Sequence, residues 1–153
     1  MQKRAKALPP LVFSAVPLAA DFPLCYGGAY DLPGDDIGYL HLHDCLEIGW
    51  CESGEGEFRV DDKIMPFRGG DCFIVSEREF HLARSLGATR ARWHFVQFDP
   101  AFLLSGGDEE GEFFSSRNFG GPGRPNVVPG AAHPELAGQF RLLVEELTRR
   151  GDG

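Results

Sequence analysis

Three histidines and one glutamate in this chain stand at spacings that could hold a metal ion. His41, His43 and Glu47 fall in the run HLHDCLE, and His81 closes a second run, GGDCFIVSEREFH. Side chains on a strand alternate between its faces with a period of two. The even offsets between His41, His43 and Glu47 therefore point all three one way from a straight strand. His81 on a neighbouring strand completes the set. Three imidazoles and a carboxylate suit Zn, Fe, Mn, Ni or Cu without choosing between them. An ion so held, with positions left open, could carry Lewis-acid or oxygen chemistry. The plain alternative is a metal-free polar cluster closed by its own hydrogen bonds.

Those residues need strands to present them. A long strand is expected over 39–52, with His41, His43, Cys45, Glu47 and Cys51 on one face and Leu42, Asp44, Leu46, Ile48 and Trp50 on the other. Both faces are largely apolar apart from the candidate ligands, and a strand of that kind is covered on both. Cys45 shares the parity of the ligands and is placed with them as a pocket-lining residue, against the plainer reading as a small buried hydrophobe. Shorter strands are expected at 11–16, 22–30, 71–76 and 80–85. A hairpin of 57–60 and 63–67 turns at Asp61-Asp62. The last long strand, 89–99, carries Ala91, Trp93, Phe95 and Gln97 on one face and Arg92, His94, Val96 and Phe98 on the other.

After Pro100 the pattern changes. Residues 105–130 read as loop with a short helix at 109–115, and a helix follows over 134–150. Pro134 suits its first turn, and Glu135 with Arg149 and Arg150 complement its dipole. Leu136, Phe140, Leu143 and Leu147 form one apolar stripe.

With 20 Gly and 11 Pro in 153 residues, turns are frequent and strands short, within one domain and one core. A net charge of −8 argues against nucleic-acid binding by these residues alone, since such binding rests on Lys and Arg. Cys25, Cys45, Cys51 and Cys72 form no C-x-x-C pair and read as reduced thiols. The start, MQKRAKALPPLVFSAVPLAAD, mimics a secretory signal, but Pro9, Pro10 and Pro17 interrupt its apolar part. No run reaches the ~18 apolar residues of a spanning helix. A flexible arm on a cytoplasmic protein, away from membranes, is the expectation.

The two histidine-bearing runs resemble the paired motifs of the cupin superfamily. His41, His43, Glu47 and Gly54 match the first motif, although Asp35 holds the place of its leading Gly. Gly70 and His81 match the second, whereas Ser76, Arg78 and Ser85 replace its usual Pro, Gly and Asn. The run from His41 to Ser85, followed by ARWHFVQFDPAFLL, further resembles the N-terminal sensor domain of AraC-type transcription regulators. That resemblance implies a mostly β fold, a double-stranded β-helix (jelly-roll) barrel with C-terminal α-helices. It implies an N-terminal arm and first strand over 1–20, a cupin barrel over 21–104, and a loop and helical dimerisation segment over 105–153. It also implies a small-molecule effector touching Trp93, Phe95 and Gln97 and a homodimer through 134–150, while the shared strand face and the cupin spacing give the expectation of a divalent metal (Zn, Ni, Fe or Mn) on His41, His43, Glu47 and His81. DNA would be reached through a helix-turn-helix half beyond these residues, and catalysis is not expected. A small metal-dependent cupin enzyme (a dioxygenase, isomerase or lyase) is the competing expectation, and a dimerisation module with a vestigial site is a third.

Overall fold

The structure, a computed structural model, describes residues 9–34, 39–88, 90–104 and 111–151. Asp35, Lys3, Arg4 and Lys6 lie outside the described residues, as does the start of the short helix expected at 109–115. In its described part, 112–114 form a turn.

Among the described residues, the short, turn-punctuated apolar runs form ten strands in two sheets. The first sheet has the order β1 (Leu11–Phe13), β3 (Leu40–Leu42), β8 (His81–Ser85), β5 (Glu55–Val60), β6 (Lys63–Arg68). The second has the order β10 (Val127–Val128), β7 (Cys72–Val75), β4 (Leu46–Ser53), β9 (Arg92–Phe98), β2 (Leu24–Asp31). Every pairing is antiparallel except that of β1 with β3. A short helix α1 (Pro100–Leu104) follows β9, and the long helix α2 (Pro134–Gly151) ends the described chain. This is the expected mostly β jelly roll with a C-terminal helix. The hairpin of β5 and β6 turns at Asp61-Asp62 as expected. Asp61 adopts φ 51° there, a left-handed conformation that Asp tolerates better than most residues.

One expectation fails. The motif strand over 39–52 is not continuous: residues 43–45 leave the ladder, and the chain passes from the first sheet as β3 to the second as β4. A two-sheet barrel needs such a corner. Asp44 marks it by turning its Oδ1 to the Val16 N–H of the arm, at 3.2 Å. The strand β10 was not anticipated, and a two-residue strand leaves no periodicity to read.

The two faces of β4 are both covered, as its pattern requires. Inside, Phe58 stacks on Phe73 with ring centroids 3.7 Å apart and meets Trp93 edge-on at 85°. Phe67, Val60, Val75 and Cys51 complete that core. Gly49 makes room for it: a Cβ there would lie 2.9 Å from Phe95 Cδ1, so only glycine lets the ring lie flat against β4. Outside, Leu46, Ile48 and Val96 receive Phe140, Leu143 and Leu147 of α2.

Truncating the residue at the centre of the aromatic packing tests this arrangement. Phe58→Ala should lower unfolding free energy by about 3–5 kcal/mol in urea titrations. A loss below about 1 kcal/mol would mean that the barrel interior is not close-packed around it.

Candidate metal centre

His41 and His81 face each other across the β3–β8 ladder, with ring centroids 4.3 Å apart. His43 sits at the corner after β3, its ring 5.0 Å from that of His41 and 5.3 Å from that of His81. Glu47 comes from β4 in the other sheet. Its Oε2 lies 3.2 Å from His43 Nε2 and its Oε1 lies 3.4 Å from His81 Nε2. The structure thus brings together the four residues that the sequence singles out. The corner, and not a straight strand, aims them.

Hydrogen bonds fix two of the rings. His43 Nδ1–H donates to the Ser14 carbonyl at 2.7 Å, and His81 Nδ1–H donates to the Glu79 carbonyl at 3.0 Å. A carbonyl only accepts, so in the neutral rings each Nε2 carries a lone pair. Both lone pairs turn toward a carboxylate that is itself only an acceptor. His81 Nε2 and His41 Nδ1 are buried without a hydrogen-bond partner. Such an arrangement asks for a cation, either a proton or a metal ion.

The electrostatics follow. Burial drives the His41 imidazolium down to about 4, helped by the charges of His81 and His43. Burial also disfavours charge on His43, but the Glu47 hydrogen bond and charge outweigh it and raise the group above its ordinary value. Burial likewise opposes the Glu47 carboxylate, yet the His43 and His81 rings beside it, which favour the anion when protonated, hold it well below the usual carboxylate range. The ligand nitrogens of His41, His43 and His81 all lie within 4.8 Å of one another. Three imidazoles this close, with the Glu47 carboxylate 3.2 Å from His43 Nε2 and 3.4 Å from His81 Nε2, are a group that could hold a metal ion.

The other candidate residues lie at different depths. Strand register sets Gln97 beside Glu47, Phe95 beside Gly49 and Trp93 beside Cys51. Gln97 Nε2 donates to Glu47 Oε2 at 2.6 Å, so this residue supports the carboxylate. Phe95 lies deeper and stacks on Trp93 at 5.4 Å. Trp93 is fully enclosed, and its Nε1–H has no partner. Cys45 is buried at the corner and lines a cleft of about 220 Å³ with Asp44, Glu77 and Asp99. All four cysteines are free, and burial pushes the Cys45 and Cys51 thiols up to about 12 and the Cys72 thiol to about 11. His94 is on the outer face, bonded to Glu52 at 2.7 Å and to the Tyr26 hydroxyl at 2.8 Å. The carbonyls of Ser14 and Glu79 were not foreseen, because a backbone group has no signature in residue type.

A family model described as the AraC-like ligand binding domain matches residues 22–153. No curated protein matches the chain. Among solved structures, a cupin protein from Bacteroides fragilis is 17% identical over 57% of this chain and 70% of its own, with a TM-score of 0.44. A Cupin 2 conserved barrel domain protein from Salinispora arenicola is 18% identical over 56% of this chain and 82% of its own, with a TM-score of 0.42. A predicted oxalate decarboxylase from Thermotoga maritima is 22% identical over 60% of this chain and 59% of its own, with a TM-score of 0.34.

The site's titration is open to a direct check. The folded value of His41, about 4, lies below its ordinary 6.5, so between those pH values the unfolded chain binds the extra proton and the fold loses stability as pH falls. The raised His43 leaves that window unchanged, because its contribution is complete below 6.5 and fades only as pH rises through its folded value. Chelator-treated protein should therefore show a melting temperature that drops on going from pH 6.5 toward 4, and His41→Gln should flatten the drop. Equal slopes for both proteins would contradict the assignment.

Proposed function

The chain belongs to the family of AraC-like ligand binding domains, and we propose that it is the effector-sensing domain of an AraC-type transcription regulator. In this reading a small, partly polar molecule binds inside the cupin barrel beside His41, His43, Glu47 and His81. The observation that supports it is the unsatisfied pair of buried nitrogens, His41 Nδ1 and His81 Nε2, beside an ionised carboxylate and above an apolar interior. Ligand sites are commonly apolar cavities with a few convergent polar groups.

His41, His43, Glu47 and His81 would hold a divalent ion such as Zn, Ni, Fe or Mn. When bound, it supplies a fixed positive charge and Lewis acidity at the barrel's polar end. Gln97 keeps the carboxylate aimed, and Phe95, backed by Trp93, offers an apolar wall to the effector. Cys45 would line the approach from the corner.

Sensing is favoured over turnover because Glu47 is committed to His43, His81 and Gln97 and is not free to act as a general base. The ligand set itself favours the second reading, a small metal-dependent cupin enzyme. A metabolite that stabilises the protein and is recovered unchanged supports the sensor, whereas one that is consumed supports the enzyme.

We place the protein in the cytoplasm. Among the described residues no helix is long and apolar enough to cross a membrane. DNA contact is assigned to a helix-turn-helix half. A homodimer through 134–150 completes the reading. The stripe of Phe140, Leu143 and Leu147 lies against the barrel, so the surface left for a second copy includes Leu142, which is 51% exposed.

Two outcomes are expected. Protein purified without a histidine tag should contain a divalent metal by elemental analysis, and His43→Ala should remove most of it. A content near zero that added metal cannot raise would refute the metal centre. In light scattering, Leu142→Asp should convert a dimer to a folded monomer, whereas Leu143→Asp should damage the fold. An unmodified protein that is already monomeric at high concentration would refute the dimer.

A further inference from the structure

The turn before His81 departs from the motif it resembles, with Ser76 where Pro would stiffen it and Arg78 where Gly would ease the turn. Here the turn is held by other means. Glu79 N–H donates to the Ser76 carbonyl at 3.2 Å, and the Glu79 carboxylate accepts back from Ser76 N–H at 2.9 Å. That carboxylate belongs to a residue only 3% exposed. Its Oε2 also accepts from Asn126 Nδ2 at 3.0 Å, and its Oε1 accepts from Gly121 N–H at 3.0 Å. Lys63 Nζ lies 3.6 Å from Oε1 and donates to the Gly121 and Arg124 carbonyls and to Asn126 Oδ1.

Asn126 is itself buried, 1% exposed. Its backbone carbonyl and its Nδ2 pair with the Ile74 N–H and carbonyl of β7, each at 2.9 Å. The fit is close: a Cβ on Gly120 would lie 2.7 Å from Ser76 Cβ and 2.8 Å from Glu79 Oε2. So the Glu79 side chain is fixed by donors from three separate stretches, and the same residue's carbonyl accepts the His81 Nδ1–H.

We propose that Glu79, clamped by Lys63 and Asn126, is the positioning residue for His81, setting the ring's tautomer and aiming its Nε2 into the site. The inference rests on the metal-centre reading. It differs from that reading in consequence: the rigidity that Pro would supply locally comes here from residues 120–126, far along the chain. Metal affinity should then depend on a segment that contributes no ligand. Partners that orient metal-binding histidines commonly govern affinity.

The test uses the 153-residue chain, Zn²⁺ as probe and two readouts. Zn²⁺ affinity is measured by competition with a chromophoric chelator, and the His81 tautomer by nitrogen-15 NMR of the metal-free protein. Lys63→Met keeps the aliphatic stem and removes the ammonium; Asn126→Ala removes the amide. Both should weaken Zn²⁺ binding by about 10- to 100-fold and mix the His81 tautomers, which wild type holds as Nδ1–H. Leu143→Ala, on the barrel's outer face, should lower stability without changing either readout. Folded variants with wild-type affinity and an unchanged His81 tautomer would overturn the proposal, as would an equal loss of affinity in Leu143→Ala. If wild type binds no Zn²⁺, the metal-centre reading falls. The tautomer then decides alone, and an unchanged spectrum overturns the positioning role.

Discussion

A buried carboxylate must be paired, because an uncompensated charge away from water is costly. Glu47 is 5% exposed, and its partners His43 and His81 come from the opposite side of the barrel. The pairing therefore joins the two sheets at one end, while Phe58, Phe73 and Trp93 fill the space between them farther in. Each contact needs the corner at 43–45, which carries the chain from one sheet to the other within a single motif. The three groups that close the barrel stand, with His41, in the cluster that could hold an ion. Architecture and chemistry cannot be varied separately here.

Strand alternation carries that coupling outward. On β4, Glu47 faces the site while Leu46 and Ile48 lie under α2. On β9, Gln97 supports the carboxylate, and the outward-facing His94 reaches Tyr26, whose hydroxyl lies 3.2 Å from Thr148 Oγ1 on the helix. Thr148 returns its own hydroxyl to the Val144 carbonyl at 2.8 Å. The contacts on β9 therefore run from the carboxylate on its inner face to the C-terminal helix on its outer one.

Much of this was legible in residue type and spacing. Pro134, Glu135, Arg149 and Arg150 announced the last helix, and it runs from Pro134 to Gly151. The apolar character of both faces of the motif strand announced its two-sided burial. The four site residues were legible as a set, yet the reason offered for their convergence was incomplete. Parity along a straight strand does not survive a corner, and the only sequence hint of that corner is Asp44, a charge in an otherwise apolar outer face. The clamp on the His81 turn was not legible, because it depends on Lys63, Glu79 and Asn126 meeting from distant positions. The tautomer-fixing carbonyls of Ser14 and Glu79 were hidden for a simpler reason, since every residue carries one.

The site also shapes how occupancy and stability are linked. Imidazole lone pairs set against a carboxylate repel unless a cation lies among them, and two buried nitrogens are left without partners. An unsatisfied buried polar group costs about 1–3 kcal/mol, so those two nitrogens are held in place by the rest of the barrel. Whatever binds there recovers that loss and adds its own mass-action term, about 2.7 kcal/mol when its concentration is 100 times its dissociation constant. In a fold where a kcal/mol or two matters, a ligand bound at that one polar cluster would shift stability measurably.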